Sequence, residues 1–425
     1  MQKPIISAFY LLIYLLLLYG YKLAIVPIFA SGNFTWQPNQ IKIIEGAILT
    51  ITTTLFLPTK FRKTSDILLH LQFLLPILPM LVIYGAEDHS RLFIYRTFIA
   101  FMIIILVSSS LQIKVIRTLG FNFKTLHMMI LFISLTIISS IIFFGGFNYF
   151  NLDFSLVYLF RDDAASNLPN FFGYLSPLTS KVLLPTTLLL ALINNNKLYA
   201  MISIIGSVMI FGLTAHKGPL FYPIIILFIY YISKYKNVVY LLLSGYVTTI
   251  IISIIGLLQG GLGIWIGGLL LRRAYFVPSQ LNFAYYDFFS NGHFLWWSES
   301  KISLGIVDSP YNIDSPHLIG REFFGNILTN ANTGWIGSGY MNAGGFGIIL
   351  YAIIISIMMQ LLNIYGMLIG PRIVLSITII PILAMMISSD LPSAFLNQGI
   401  IISILICSFL PYYKYSLYQK QKIIF

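Results

Sequence analysis

Cysteine is almost absent from this chain: Cys407 is the only one, and it lies inside an apolar run. Disulfide bridging, thiolate chemistry and cysteine metal sites are therefore excluded. Charge is nearly as scarce. Only 9% of the residues are charged and 58% are hydrophobic, whereas a soluble domain carries roughly 25% charged residues. With a mean hydropathy of +0.88, the chain reads as an integral membrane protein. Acidic residues are scarcest, 13 against 25 basic ones. There is no His-x-x-x-His, and no aspartate series is spaced like a cation loop, so a metal site has no support. Gly-rich phosphate loops and internal repeats are missing too. The first absence argues against an ATP-driven pump or a cytosolic nucleotide-sugar enzyme, the second against an inverted-repeat transporter.

What is present is a series of apolar segments of about spanning length. They fall near 5–29, 40–58, 67–86, 92–111, 126–146, 175–192, 198–213, 219–233, 239–258, 342–362, 372–388 and 398–412. The expected fold class is therefore all-α: a polytopic bundle of about 12 transmembrane helices, one integral membrane domain over 1–425. The stretch 5–19 lacks a small-residue cleavage site and reads as a retained first helix.

Charge sets the expected orientation. With both termini in the cytoplasm, the inner segments hold 14 of the 25 basic residues and one of the 13 acids, Asp66. That is the positive-inside pattern. The net charge of +12 is thus a topology signal, not a nucleic-acid footprint. The same orientation puts two polar loops, 147–175 and 259–341, on the outer face, the periplasm of a bacterial inner membrane.

Both loops carry candidate chemistry. In the first, Arg161-Asp162-Asp163 precedes Gly173-Tyr174-Leu175-Ser176-Pro177, where Ser176 and Pro177 fit a helix cap and first turn. In the second, glycines at 260, 261, 263, 267 and 268 permit a bent or partly re-entrant approach to the membrane. They lead to Arg272-Arg273, adjacent guanidinium forks suited to a phosphate or diphosphate. Tyr275 follows. The run from Tyr285 to Trp297 mixes aromatic rings with Asp287 and Asn291, a composition that suits sugar rings as well as an interfacial girdle. Asp314-Ser315-Pro316-His317 reads as a helix start, with His317 and Arg321 four apart on one face. There a histidine can take a proton from a hydroxyl and an arginine can hold a diphosphate oxygen. Lys217, in a short outer turn, adds a further positive charge. Arg96 lies inside a predicted span, where a guanidinium requires an anion, water or a polar cleft; Glu45 is one candidate partner.

In this order the chain resembles the oligosaccharide repeat-unit polymerases, the O-antigen polymerases of the Wzy type. The resemblance rests on Arg161 with Gly173-Tyr174-Leu175-Ser176-Pro177, and on Arg273-Ala274-Tyr275-Phe276-Val277-Pro278 with Tyr285-Tyr286-Asp287-Phe288-Phe289. It also rests on Phe324-Gly325, Asn330-Ala331-Asn332-Thr333-Gly334-Trp335, Gly339-Tyr340 and Gly344-Gly345-Phe346-Gly347. It implies a GT-C-like, periplasm-facing glycosyltransferase that joins oligosaccharide repeats carried on undecaprenyl diphosphate, both as donor and as acceptor. It implies Arg161, Arg273 and Arg321 as the functional arginines, with His317 in the part a histidine plays in the related O-antigen ligases. Arg272, Lys217, Asp162, Tyr275, Asp287, Asn332 and Trp335 are the expected substrate contacts. No cofactor is expected, because the donor sugar is already activated by its diphosphate. A chain-length regulator and a flippase are the implied protein partners, and inversion at the anomeric carbon is the expected outcome. A ligase with a different acceptor, or a transporter of lipid-linked sugars, are the rival readings.

Overall fold

The computed structural model describes residues 2–110, 120–153 and 168–411. Among them, nine helices are long and apolar enough to cross a membrane. The chain is an all-α, multi-pass membrane protein. Every apolar segment anticipated from sequence is helical. In order these are α1 (Gln2–Ile28), α2 (Gln40–Phe56), α3 (Thr64–Ala86), α4 (Arg91–Ser110), α5 (Phe123–Phe143), α6 (Phe172–Ile193), α7 (Lys197–Thr214), α8 (Gly218–Ile232) and α9 (Val238–Gln259). After a further stretch come α12 (Trp335–Ile369), α13 (Pro371–Ile387) and α14 (Leu391–Phe409). Helices α8 and α13 are the shorter apolar ones. Helix α2, which carries Lys42 and Glu45, belongs to neither class.

Two helices come from the polar stretch between α9 and α12. The first, α10, runs over 262–291 through Leu262–Gly267, a π-helical middle at Gly268–Phe276, and Val277–Asn291. The second is α11 (Ser315–Phe324). Sequence reading anticipated short helices in an outer loop, but α10 is long and deeply packed. Gly260 and Gly261, both at positive φ, reverse the chain after α9. Gly263 and Gly267 then lie against the α9 backbone at Gly256 and Ser253, where a Cβ would collide with carbonyl oxygens. Further along, α10 meets α1 through Phe276 and Tyr21, ring centroids 4.9 Å apart. It meets α3 through Ser279, whose hydroxyl donates to the Pro76 carbonyl at 3.2 Å. Glycine density here serves close helix packing.

Some boundaries differ from expectation: α12 and α14 each start seven residues earlier than the apolar segments at 342 and 398. The helix expected to start at Ser176-Pro177 begins at Phe172, with Pro177 inside it. A π turn, Thr179–Leu183, follows and leads into Pro185; membrane helices tolerate internal prolines and such local adjustments.

The chain divides into two compact units. One comprises residues 1–112, 236–360 and 384–392; the other comprises 113–235, 361–383 and 393–425. The first unit contains α1–α4, α9–α11 and most of α12, and it holds nearly all of the polar stretch. In the second, α6 and α7 pack closely, with the Ser203 hydroxyl donating to the Leu184 carbonyl at 2.5 Å. Lys181 of α6 donates to the Gln398 side-chain oxygen there.

Helix α12 is broken. Ala343 (φ −152°, ψ 31°) and Gly344 (φ 59°, ψ −142°) leave helical geometry. The Gly339 carbonyl consequently abuts Gly347, although residues eight apart in a straight helix stand about 12 Å from each other. The chain folds back on itself here. The arm 335–342 is a short half-helix buried inside the first unit, and 345–369 is the spanning portion. The break frees the carbonyls of Met341 and Asn342, which accept the N–H groups of Leu295 and Trp296 at 2.9 Å each. In return, Trp296 and Trp297 are held at φ 47° and 62°, a left-handed conformation rare for bulky residues.

Candidate functional site

Three groups of functional side chains in the first unit are placed by these helices. The first surrounds the turn at 29–34. Arg272, in the π-helical part of α10, aims its guanidinium at this turn, 4.7 Å from the Phe29 ring centroid and 6.0 Å from that of Phe34. Its Nε is buried and has no hydrogen-bond partner among the described residues. Gln280, two turns on, donates to the Gly32 carbonyl at 3.0 Å. From the other side, Asn33 donates to the Phe323 carbonyl at the end of α11. The arginine-bearing part of α10 and the C-terminal turn of α11 therefore dock on one turn. Arg273 beside it is exposed. Of the adjacent pair, Arg272 turns into the protein and Arg273 turns away.

The second group is α11 itself. Its N-terminus is capped by a distant side chain: Glu299 accepts from the Ser315 N–H at 2.9 Å and from the Ser315 hydroxyl at 2.7 Å. Burial pushes the Glu299 carboxyl up, and the Ser315 bonds partly counter it. Asp314, the residue before the helix, binds His317 Nδ1 at 2.7 Å, which directs Nε2 away from the carboxylate. Arg321, one turn later, is exposed and bonds Glu322 through Nε at 2.8 Å.

The third group lies at the α12 break. Arg96, from the second turn of α4, rests on the bare backbone of Gly345, where an added Cβ would come within 2.8 Å of its Cδ. Its guanidinium faces the Tyr340 hydroxyl. Glu45, the partner anticipated for Arg96, is taken by Arg91 instead, with an NH2-to-carboxylate distance of 3.0 Å. Arg91 lies at the start of α4, whereas Arg96 is a turn and a half further along. Around Arg96 stand rings from four segments: Tyr286 and Tyr340 at 4.8 Å, Phe93 and Tyr286 at 4.6 Å, and Phe294 and Tyr340 at 5.8 Å. The Tyr286 hydroxyl meets that of Ser90 at 2.9 Å. Burial pushes the Asp287 carboxyl up; His89 lowers it and Glu87 raises it. His89 stacks on Phe283 at 4.0 Å and binds Glu87 at 2.9 Å.

The remaining expected residues are distributed as follows. Tyr275 is buried against Tyr246 of α9, ring centroids 4.7 Å apart. Asn332 is exposed and bonds Asn330. Trp335 is wholly buried at the head of the half-helix, its indole N–H without a partner. Lys217 precedes α8 in the second unit. Arg161 and Asp162 lie outside the described residues. No group of three or more His, Cys, Asp or Glu side chains converges among the described residues.

The Arg96 group was only half visible in sequence. An arginine inside a span, and a Gly-Gly pair at 344–345, were both apparent. What brings them together is the fold-back at Ala343–Gly344, which no local pattern announces. Chemically, the three groups supply guanidinium forks, a His–Asp pair and an aromatic surface beside the Asp287 carboxyl. Comparison with family models, with curated proteins and with solved structures found no match for this chain.

Proposed function

We propose that this protein is a membrane-embedded glycosyltransferase that joins lipid-diphosphate-linked oligosaccharide repeats at the extracytoplasmic face, in the manner of the repeat-unit polymerases it resembles. The observation that carries this reading is Arg272: a guanidinium beside two aromatic rings, with a buried Nε that no acceptor among the described residues satisfies. A buried donor without a partner is costly, on the order of 1–3 kcal/mol. An arriving diphosphate oxygen removes that cost and gains a charge-assisted bond. Arg273 and Arg321 are exposed on the two segments that meet the same turn, the former adjacent in sequence and the latter on α11.

In the proposed reaction an acceptor sugar hydroxyl attacks the donor anomeric carbon. The C1–oxygen bond breaks, and the lipid diphosphate leaves with the electron pair. Guanidinium groups stabilise the charge that develops on the departing oxygen, a contribution made mainly at the transition state. The hydroxyl proton passes to a base. His317 suits this role because Asp314 holds Nδ1 and leaves Nε2 to accept. Displacement in one step inverts the anomeric centre. The rings around Tyr340 and the Asp287 carboxyl suit a sugar, which offers both C–H faces and hydroxyls.

The test is purified full-length protein mixed with a lipid-diphosphate-linked repeat unit. A ladder of products formed without nucleotide supports the proposal. Transfer only to a lipid A core acceptor selects a ligase, and movement of intact substrate across proteoliposomes without new bonds selects a transporter. A ladder unchanged by alanine at Arg272, Arg273 and Arg321 overturns the assignment of residues.

A further inference from the structure

The first unit has a second polar feature, at the opposite end of its helices. A cavity of about 410 Å³ opens there, bounded by the start of α1 at Gln2, the end of α2 at Phe56, the start of α3 at Ser65 and the end of α4 at Ser109. Helix α4 alone puts 20 residues between this end and the Ser90–Tyr286 contact, about 30 Å at 1.5 Å per residue. That is the thickness of a bilayer's hydrocarbon core. A cavity framed by the ends of α1, α2, α3 and α4 therefore stands at headgroup level.

Its lining changes character with depth along the helices. Lys60, Arg62 and Lys63 line it from the α2–α3 connection and are exposed. Leu69 lies more than a turn into α3 and Ile105 more than a turn before the end of α4, and with Phe56 they supply an apolar wall. The acid in the lining, Asp66, is already engaged. Its Oδ2 accepts the backbone N–H groups of Arg62 and Lys63 at 2.7 Å each. None of the three cations has a carboxylate within ion-pair distance among the described residues. Positive charge is thus concentrated above an apolar wall, and the single nearby carboxylate is spent on the helix start.

We infer that this cavity is a binding site for an anionic phospholipid, with the headgroup phosphate on Lys60, Arg62 and Lys63 and the proximal acyl carbons against Leu69, Ile105 and Phe56. The apolar wall is what favours a lipid over a free phosphate ion. Juxtamembrane basic residues attract anionic headgroups with about 1 kcal/mol each. The site is separate from the proposed transferase groups and does not depend on that reading.

Full-length protein in a zwitterionic detergent, titrated with phosphatidylglycerol and followed by native mass spectrometry, tests the inference. The triple variant Lys60→Ala, Arg62→Ala, Lys63→Ala is compared with Lys197→Ala, Lys234→Ala, Lys236→Ala, which removes equal charge elsewhere. The expected result is affinity for phosphatidylglycerol weakened at least about tenfold in the first variant only. Should the first triple fail to fold, Leu69→Trp tests the same cavity by filling its apolar wall, with the same loss expected. Equal weakening in both triples overturns the inference. So does equal binding of phosphatidylcholine, or displacement of the lipid by millimolar inorganic phosphate, which identifies a free-anion site.

Discussion

The two ends of the first unit handle charge in opposite ways. At the end bearing the polar stretch, some cations have carboxylate partners: Lys42 with Asp88 at 2.7 Å, Arg91 with Glu45 at 3.0 Å and Arg321 with Glu322 at 2.8 Å. Against that paired background, Arg96, Arg272 and Arg273 have no carboxylate partner among the described residues. At the other end, the three cations lining the cavity have no carboxylate partner among the described residues, and the acid in that lining caps a helix. The contrast separates two uses of positive charge. Where paired and unpaired cations stand side by side, a buried unpaired one such as Arg272 suits a specific anion. Where none is neutralised, the whole surface suits the bilayer's own phosphates.

Changes that strike the unpaired cations should have the largest effects. Arg272→Ala is expected to lower the initial rate of ladder formation by roughly 10²–10³-fold, the range seen when one preorganised transition-state donor is removed. Arg272→Lys should recover little, since an ammonium cannot reproduce the guanidinium fork. An Arg272→Ala rate near wild type would mean that this arginine is no different from its paired neighbours. Gly344→Ala comes next. It forces a Cβ into positive φ and to 2.9 Å from Phe294, and the backbone conformation alone costs about 1–2 kcal/mol. Thermal unfolding should show the loss, because Gly344 forms the fold-back on which Arg96 rests.

Smaller and pH-dependent effects belong to Glu299. Glu299→Ala leaves the Ser315 N–H without its cap and should cost about 1 kcal/mol. Glu299→Gln keeps an acceptor and isolates the ionisation. Burial raises the carboxyl's folded-state pKa, so the unfolded chain releases this proton at lower pH than the folded one. Wild type therefore loses stability relative to the glutamine variant as pH rises from the ordinary carboxylate value through the raised one. Below the ordinary value the pH-dependent part disappears. A difference that grows as pH falls would refute the assignment. The least effect is expected from Arg91→Gln. Its pair with Glu45 is partly exposed, and such pairs contribute at most about 1 kcal/mol, less at high salt. A larger, salt-insensitive loss would show that the paired cations are also specialised.

Much of this was legible in the chain itself. Apolar runs of spanning length predicted each helix to within a few residues at most boundaries, because burial of backbone polar groups in lipid allows little else. Asp314-Ser315-Pro316 predicted the start of α11, which begins at Ser315. Ser176-Pro177 misled, since a proline can also sit inside a membrane helix, as Pro177 does in α6. The glycines at 260–268 announced a bend, and the bend is there. That they seat a 30-residue helix against α9 was not readable, because close approach depends on what lies opposite. Arg96 and Glu45 illustrate the same limit: both were conspicuous, yet Arg91 is the residue that reaches Glu45.

Composition and hydropathy by themselves determined that this is a helical membrane protein whose polar chemistry is gathered between its last few spans. Those properties follow from the cost of putting charge and unpaired amides into hydrocarbon, which every segment bears locally. Tertiary structure alone decided which arginine turns inward, that Gly345 lies beneath Arg96, and that the ends of four helices enclose a basic cavity. Such facts depend on side chains far apart in sequence meeting at distances of a few ångströms, and the fold-back at Ala343–Gly344 and the helix crossings fix where they meet.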